Sequence, residues 1–253
     1  MATYVLVAGH WLGGEAWEQV AERLLPSGHE AHPVTLAGLG ERAHEAGSGV
    51  TLDTHSDDIV RVVEENDLHD LVLVGHSGGG IPGTQAADRL AADPAHRIAK
   101  IVYIESGPLP DGMSQVDMLD PEARDARLRQ PENGEGTIPV PSWEELGGPN
   151  GILTMGMGPT ERERFEAITT PQPLLPTTNR LRLRNQDAVN AVPHALVTCS
   201  IPLEQVRQMV EQNHPMFVGF PGKQWEYVEV ATGHWPMFSE PTRLADALAG
   251  LAP

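Results

Sequence analysis

The stretch Leu71-Val-Leu-Val-Gly-His-Ser-Gly-Gly-Gly80 decides how this chain is interpreted. Its four leading apolar residues are typical of a strand buried on both faces, and a segment compatible with a helix follows from Ile81 to Ala92. Between them stands G-x-S-x-G, the pattern in which a sharp, strained turn presents a serine between a strand and a helix. The glycines two positions before and after the serine leave room for that turn. This context predicts that Ser77 is a nucleophile.

Composition narrows the classes of partner. Among 253 residues, 35 are acidic and 17 are basic, and the formal charge of −18 argues against binding to nucleic acid or anionic membranes. The single cysteine, Cys199, excludes an intrachain disulfide, and the first apolar run, Tyr4 to Ala8, is too short for a signal peptide or a membrane span. We therefore expect a cytoplasmic protein that acts on a small molecule and has neither a nucleic-acid nor a membrane partner. A homodimer is left open.

The rest of the chain alternates strand and helix signals on both sides of the central stretch. Several of the short apolar runs are separated by segments whose apolar residues have helical spacing. Strands and helices that alternate in this way build a parallel sheet covered on both faces. The prediction is an α/β fold with a doubly wound, mostly parallel sheet. The further strands are expected at 4–8, 30–36, 98–104, 195–199 and 225–230.

The alternation stops between residues 106 and 194. This third of the chain holds 12 of the 22 prolines and carries helix-start signals but no convincing strand. We expect a helical lid inserted into a core made of residues 1–105 and 195–253, with Met155 and Met157 lining a substrate pocket. The helix starts are expected at Asp120-Pro121, Ser142-x-x-Glu145 and Thr160-x-x-Glu163.

Two loops are expected beside the serine. Gly9-His-Trp-Leu-Gly-Gly14 follows the first strand, where a backbone N–H can help to stabilise an oxyanion. We assign the two donors to His10 and to Gly78, the residue after the serine, and expect Trp11 to line the site. His234 follows the last strand within Gly233-His-Trp-Pro236, where it can reach Ser77 as a general base. Trp235 is expected in the pocket as well.

These motifs together identify a resemblance. The serine turn, the first-strand glycine loop and the ending Thr232-Gly-His-x-Pro-Met-x-Ser-Glu-Pro241 resemble the α/β-hydrolase superfamily, in particular the branch of plant methyl esterases, hydroxynitrile lyases and bacterial esterases. The resemblance covers the sheet and is weak in the insertion. Ala8 replaces the histidine often found before the oxyanion glycine. The aspartate usual in the loop after residues 195–199 is missing as well.

The missing aspartate leaves two candidates for the acid that orients the histidine. Glu105 follows the strand after the serine turn, at the sheet edge where ligands bind, and some haloalkane dehalogenases resemble this arrangement. Glu204 lies in the first turn of a later helix, where the helix dipole already accounts for an acidic residue. We expect Glu105 to be the acid and keep Glu204 as the alternative.

The resulting expectation is a serine hydrolase for an ester, thioester or lactone of a fairly apolar molecule, with no cofactor and no metal. A lyase or cyclase that uses the same triad is one alternative. The hydroxynitrile lyases of the family carry a lysine after the catalytic histidine, and Trp235 stands there in this chain. A ligand-binding module with little turnover is the other alternative.

Overall fold

The computed structural model of the protein describes residues 1–92, 98–129, 136–214, 217–220 and 225–253. Six of the strands in these ranges form one sheet whose neighbouring strands are all parallel, and two short ones form a separate antiparallel pair. In chain order the strands are β1 (Thr3–Val7), β2 (Glu30–Val34), β3 (Leu71–His76), β4 (Ile98–Ile104), β5 (Thr137–Ile138), β6 (Gln172–Pro173), β7 (His194–Thr198) and β8 (Trp225–Glu229).

Helices cover both faces of the sheet, which confirms the predicted fold class. They are α1 (Glu18–Leu24), α2 (Leu52–Glu65), α3 (Gly80–Leu90), α4 (Pro121–Arg129), α5 (Pro159–Ile168), α6 (Leu175–Thr178), α7 (Gln186–Ala191), α8 (Leu203–Glu211), α9 (Pro236–Ser239) and α10 (Pro241–Gly250). Strand β4 has the predicted bounds, and the other strands of the large sheet and helix α3 differ from prediction by one or two residues at their ends.

Alternate residues of the strands feed two separate apolar clusters. On one face, α1 and α10 pack against residues such as Leu6 and Val74, and on the other face α2, α3 and α8 pack against their chain neighbours Val7 and Leu73. A fully buried aliphatic side chain contributes about 1.5–3 kcal/mol relative to an exposed one. The central strands β1 and β3 are therefore a rigid base for the loops that follow them.

The order of strands across the sheet is β2-β1-β3-β4-β7-β8. The chain runs outward from β1 to β2, then returns to the other side of β1 and continues outward from β3. The order thus reverses between β1 and β3, and in open α/β sheets ligands bind beyond the carboxyl ends of the strands at such a point. His10 follows β1 and Ser77 follows β3.

The segment 106–193, called the inserted segment below, joins β4 to β7, and it ends one residue before the predicted bound because His194 already belongs to β7. Its described residues contain helices α4 to α7 and the pair β5–β6, two strands that were not expected. Its end is attached to α3, where Gln85 accepts the N–H of Arg182 and the buried Asp88 accepts those of Arg184 and Asn185 at 2.7–3.0 Å. Within the described ranges, none of the helices combines the length and apolar character that a membrane crossing requires.

Two of the three expected helix starts in the inserted segment need correction. Asp120 caps α4 as predicted, with its carboxylate accepting the Ala123 N–H at 2.9 Å. Ser142 and Glu145 form their reciprocal hydrogen bonds, but only turns and a short 3₁₀ helix follow. Helix α5 begins before Thr160, because Glu161 accepts the Gly158 N–H at 3.0 Å and Pro159 is its first residue.

Candidate active site

Ser77 lies on a strained turn directly after β3. Its φ of +47° is a left-handed conformation that residues other than glycine rarely adopt. A Cβ on Gly79 would clash with the Ala8 carbonyl, and one on Gly75 would come within 2.7 Å of the Gly80 Cα, so both positions require glycine. The Ser106 hydroxyl donates to the Ser77 carbonyl at 2.6 Å. The turn is thus held from two sides, and its serine side chain stands at the carboxyl edge of the sheet.

His234 reaches Ser77 from the loop after β8. Its Nε2 lies 2.8 Å from the Ser77 Oγ. The backbone of the histidine is held at both ends, because its N–H donates to the Leu153 carbonyl and its own carbonyl accepts from the His76 Nε2, each at 2.7 Å. Burial holds the pKa of His76 well below its usual value, so that ring is neutral and donates from Nε2. The backbone that carries the His234 imidazole is therefore anchored to two separate segments of the chain.

Glu105 faces the other ring nitrogen of His234. Its Oε2 lies 3.4 Å from Nδ1, and its Oε1 accepts the backbone N–H groups of Cys199 and Ser200 at 2.6 and 3.1 Å. The Ser200 hydroxyl also donates to Oε2. Burial alone would raise the pKa of this carboxyl, but the contacts with His234, Ser200 and Cys199 outweigh burial and lower it. Glu105 is therefore ionised at neutral pH.

Glu204, the alternative acid, lies elsewhere. It is exposed in the first turn of α8, where its carboxylate accepts from Gln208 at 3.1 Å. The structure therefore brings Glu105, and not Glu204, to His234. The loop that lacks the expected aspartate instead supplies Ser200, whose hydroxyl donates to the same Glu105 oxygen that faces His234.

His10 and Gly78, the two predicted oxyanion donors, are in contact. A Cβ on Gly78 would collide with the imidazole of His10, and a Cβ on Gly9 would come within 2.8 Å of the Ser77 Cβ. Gly78 is the second residue of the 3₁₀ turn Ser77–Gly79, where N–H groups have no intrahelical acceptor. Burial, aided by the nearby positive charge of Arg127, lowers the pKa of His10 to about 4, so its ring is neutral at pH 7.

A cavity of about 250 Å³ opens beside Ser77 and Glu105. It extends under the inserted segment towards β7 and α8. Among the described residues that line it there is no lysine or arginine, and most of the side chains are apolar. Besides Ser77 and Glu105 they are Ile81, Ser106, Gly107, Leu109, Gln115, Met118, Leu196, Thr198, Ile201, Val206 and Phe217.

None of the four residues predicted to line the pocket lies on this cavity. Trp235 and Met157 belong to the apolar core, where Trp235 packs against Phe165 at 4.8 Å between ring centroids. Met155 is 45% exposed, and its backbone carbonyl accepts the Gly233 N–H at 2.8 Å. Trp11 is half-buried against the edge of the His10 ring. Trp235 and Met157 therefore contribute to core packing, and the wall of the cavity is made by other residues.

Sequence reasoning did not anticipate the residues that support the site. Ser106, Ser200 and His76 bind Ser77, Glu105 and His234 respectively. Each stands next to a strand end in the sequence, where a polar residue could have been noted. The sequence gives no comparable signal for the apolar wall made by Leu196, Val206 and Phe217, because apolar residues at such positions are equally typical of an ordinary core.

Comparison with known proteins finds relatives along almost the whole chain. The model of the alpha/beta hydrolase family matches residues 4–247. Carbendazim hydrolyzing esterase from Nocardioides sp. is 30% identical over 275 aligned positions, which cover 99% of this chain and 100% of that protein. Methylesterase 9 from Arabidopsis thaliana is 27% identical, with 100% and 98% covered. These relatives confirm the predicted class, a carboxylic ester hydrolase.

A solved structure extends the likeness to the whole fold. The extracellular alpha/beta-hydrolase from a Paenibacillus species superposes with a TM-score of 0.77 at 22% identity, covering 100% of this chain and 99% of that one. The extent of the family match and the shared fold lead to one conclusion. The chain belongs to the alpha/beta hydrolase family.

Proposed function

We propose that Ser77, His234 and Glu105 form a catalytic triad that hydrolyses esters of small, neutral molecules through an acyl-enzyme. The observation that carries the proposal is the continuous contact from the Ser77 Oγ to the His234 Nε2 at 2.8 Å and from the Nδ1 to the Glu105 carboxylate at 3.4 Å. Serine-dependent acyl transfer requires a nucleophile in contact with a base, and that base in contact with an orienting acid.

Acylation begins when the Ser77 Oγ attacks the ester carbonyl carbon. His234 takes the serine proton on Nε2, and the ionised Glu105 stabilises the imidazolium through Nδ1–H. The carbonyl oxygen becomes an oxyanion, which the N–H groups of His10 and Gly78 stabilise. His234 then gives its proton to the alcohol oxygen, the C–O bond breaks, and the alcohol leaves an ester on Ser77.

Deacylation repeats these steps with water as the nucleophile. His234 removes a proton from the water, whose oxygen attacks the acyl carbon. The same two N–H groups stabilise the second oxyanion. The proton then returns to the Ser77 Oγ as the acid product leaves. No step in this cycle calls for a cofactor or a metal ion.

The lining of the cavity supports a class of substrate. The ionised Glu105 and the apolar side chains around it favour an uncharged, fairly apolar group, and the net charge of −18 disfavours anionic substrates. The inserted segment acts as a lid, because Leu109, Gln115 and Met118 belong to it and line the cavity. We place the enzyme in the cytoplasm, since its one cysteine, Cys199, is free and buried.

The alternatives find less support in the site. A hydroxynitrile lyase of this family places a lysine after the histidine, whereas Trp235 is buried there against Phe165. A passive binding module would have no use for a serine held at hydrogen-bond distance from a carboxylate-linked imidazole.

Removal of the nucleophile tests the proposal. Ser77→Ala should lower kcat by on the order of 10⁴–10⁶ on neutral nitrophenyl esters, because triad members act as a unit. The assay compares esters of increasing acyl length, a thioester and a lactone, with the thermal midpoint as a control for folding. A folded Ser77→Ala variant that keeps most of its ester hydrolysis would overturn the triad.

A further inference from the structure

The loop 9–12, called the oxyanion loop below, is held by the inserted segment at three points. The His10 Nε2 lies 2.9 Å from the Gln115 Oε1. The Trp11 N–H donates to the Gln172 Oε1 at 3.3 Å, and the Trp11 carbonyl accepts the Thr170 N–H at 2.9 Å. Three residues that lie more than 100 positions away in the chain therefore bind two consecutive residues of this loop.

The need for this support follows from the backbone of the oxyanion loop. Trp11 has a φ of +68°, a left-handed conformation that a bulky residue keeps only where its surroundings determine it. Within the loop, the Leu12 N–H donates to the Gly9 carbonyl at 3.4 Å, a long hydrogen bond. The Gly9 carbonyl and the His10 N–H belong to the same peptide, so the peptide that carries this donor is held within the loop only by a long hydrogen bond and is followed directly by the strained Trp11.

The ring of His10 adds a second constraint. It packs against Gly78, so its position also fixes the distance between the two backbone donors. Because burial keeps the ring neutral, it carries a single proton, and the hydrogen bond with Gln115 places that proton on Nε2 when the amide oxygen is the acceptor. Gln115 thus anchors the ring while it also lines the substrate cavity.

We propose that Gln172 and Gln115 are positioning residues that aim the His10 N–H at the oxyanion. This inference rests on the proposed function. Gln172 acts through the Trp11 N–H, and Gln115 acts through the His10 ring; neither touches the reacting atoms. The lid therefore completes the oxyanion hole as well as covering the substrate.

The variants Gln172→Met and Gln115→Met test this role, because methionine keeps the length of the side chain and removes the amide. Gln186→Met is the matched control, since Gln186 is an exposed glutamine of the same inserted segment. The measurements are kcat, KM, the thermal midpoint and the inhibition constant of a trifluoromethyl ketone, whose adduct with Ser77 carries an oxyanion.

Gln172→Met should lower kcat by about tenfold, less than the 10²–10³-fold cost of deleting an oxyanion donor. KM should change little, and the inhibition constant of the ketone should rise in parallel with the fall in kcat. A lower thermal midpoint with unchanged kcat and ketone inhibition would show that Gln172 only stabilises the fold. That result would overturn the inference for this residue.

A double-mutant cycle tests Gln115. Because Gln115 is only half-buried, this test can still be made if Gln172→Met does not fold. His10→Ala removes the ring but leaves the backbone donor. Gln115→Met should therefore lower kcat in the native background and have no further effect after His10→Ala. Equal losses in both backgrounds would refute action through the ring. Failure of the triad itself is recognised separately, by activity that survives Ser77→Ala.

Discussion

Replacing Glu105 with glutamine tests what holds His234 in its working tautomer. The Glu105 Oε1 accepts two backbone N–H groups, from Cys199 and Ser200, and the amide oxygen of a glutamine would take that place. The amide nitrogen would then face the His234 Nδ1 and donate to it. The ring proton would be forced onto Nε2, opposite the Ser77 Oγ, and the histidine could no longer accept the serine proton.

The size of the effect follows from this geometry. The equivalent aspartate-to-asparagine change in a serine protease costs about 10⁴ in kcat, or about 5.4 kcal/mol of transition-state stabilisation. The 3.4 Å separation between Glu105 and His234 is longer than an ordinary hydrogen bond, so the native carboxylate is less tightly coupled to the ring. We expect Glu105→Gln to lower kcat by about 10²–10⁴, with 10⁴ as the upper limit.

The assay measures kcat on a neutral ester and the thermal midpoint for Glu105→Gln and for Glu204→Gln. The second variant is the control, because Glu204 is exposed and bonds to Gln208 of its own helix. Its kcat should be unchanged. If Glu204→Gln were the inactive variant, or if Glu105→Gln kept nearly full activity while folded, the assignment of the acid would be wrong.

Three further predictions concern the cavity, the charge and the buried histidines. Val206→Phe should fill part of the cavity and lower kcat/KM for long acyl chains more than for acetate, as an acyl-length series would show. A carboxylated ester should react more slowly than its neutral analogue, most clearly at low ionic strength; faster reaction of the anion at low salt would refute this. Burial lowers the pKa of His55 to about 4. Between pH 6.5 and about 4 the unfolded chain therefore binds a proton at this histidine that the folded chain does not bind, and the free energy of unfolding should fall as the pH drops through this range. His55→Gln should reduce that fall in stability by at most about 3 kcal/mol, measured from thermal midpoints across this range, and an unchanged slope would contradict the prediction.

Local signals were sufficient for the sheet and for most residues of the proposed triad. Buried parallel strands are continuous apolar runs, which is why β1, β3 and β4 were predictable to within a residue or two. Ser77 and His234 stand in loops whose glycines have backbone requirements of their own, as Gly79 and Gly233 show through the carbonyl groups they approach. Glu105 was predictable from its place directly after β4.

The cavity and the inserted segment depend on packing that no local pattern encodes. Met157 and Trp235 have the composition of pocket residues, yet they fill the core beside α5 and α9, while Leu196 and Val206 look like core and line the cavity. The strands β5 and β6 have two residues each and are stabilised by tertiary contacts rather than by their own sequence. The hydrogen bond between Gln172 and Trp11 joins residues 161 positions apart, so spacing in the sequence could not reveal it.

Covalent labelling by a fluorophosphonate tests the central claim most directly, because the reagent reacts with a serine only when a neighbouring base activates it. Intact mass and peptide mapping should show a single adduct on Ser77. The rate of labelling should fall sharply in His234→Ala, since the His234 Nε2, the proposed base, lies 2.8 Å from the Ser77 Oγ. An unlabelled Ser77, or labelling at the same rate without the histidine, would contradict the account.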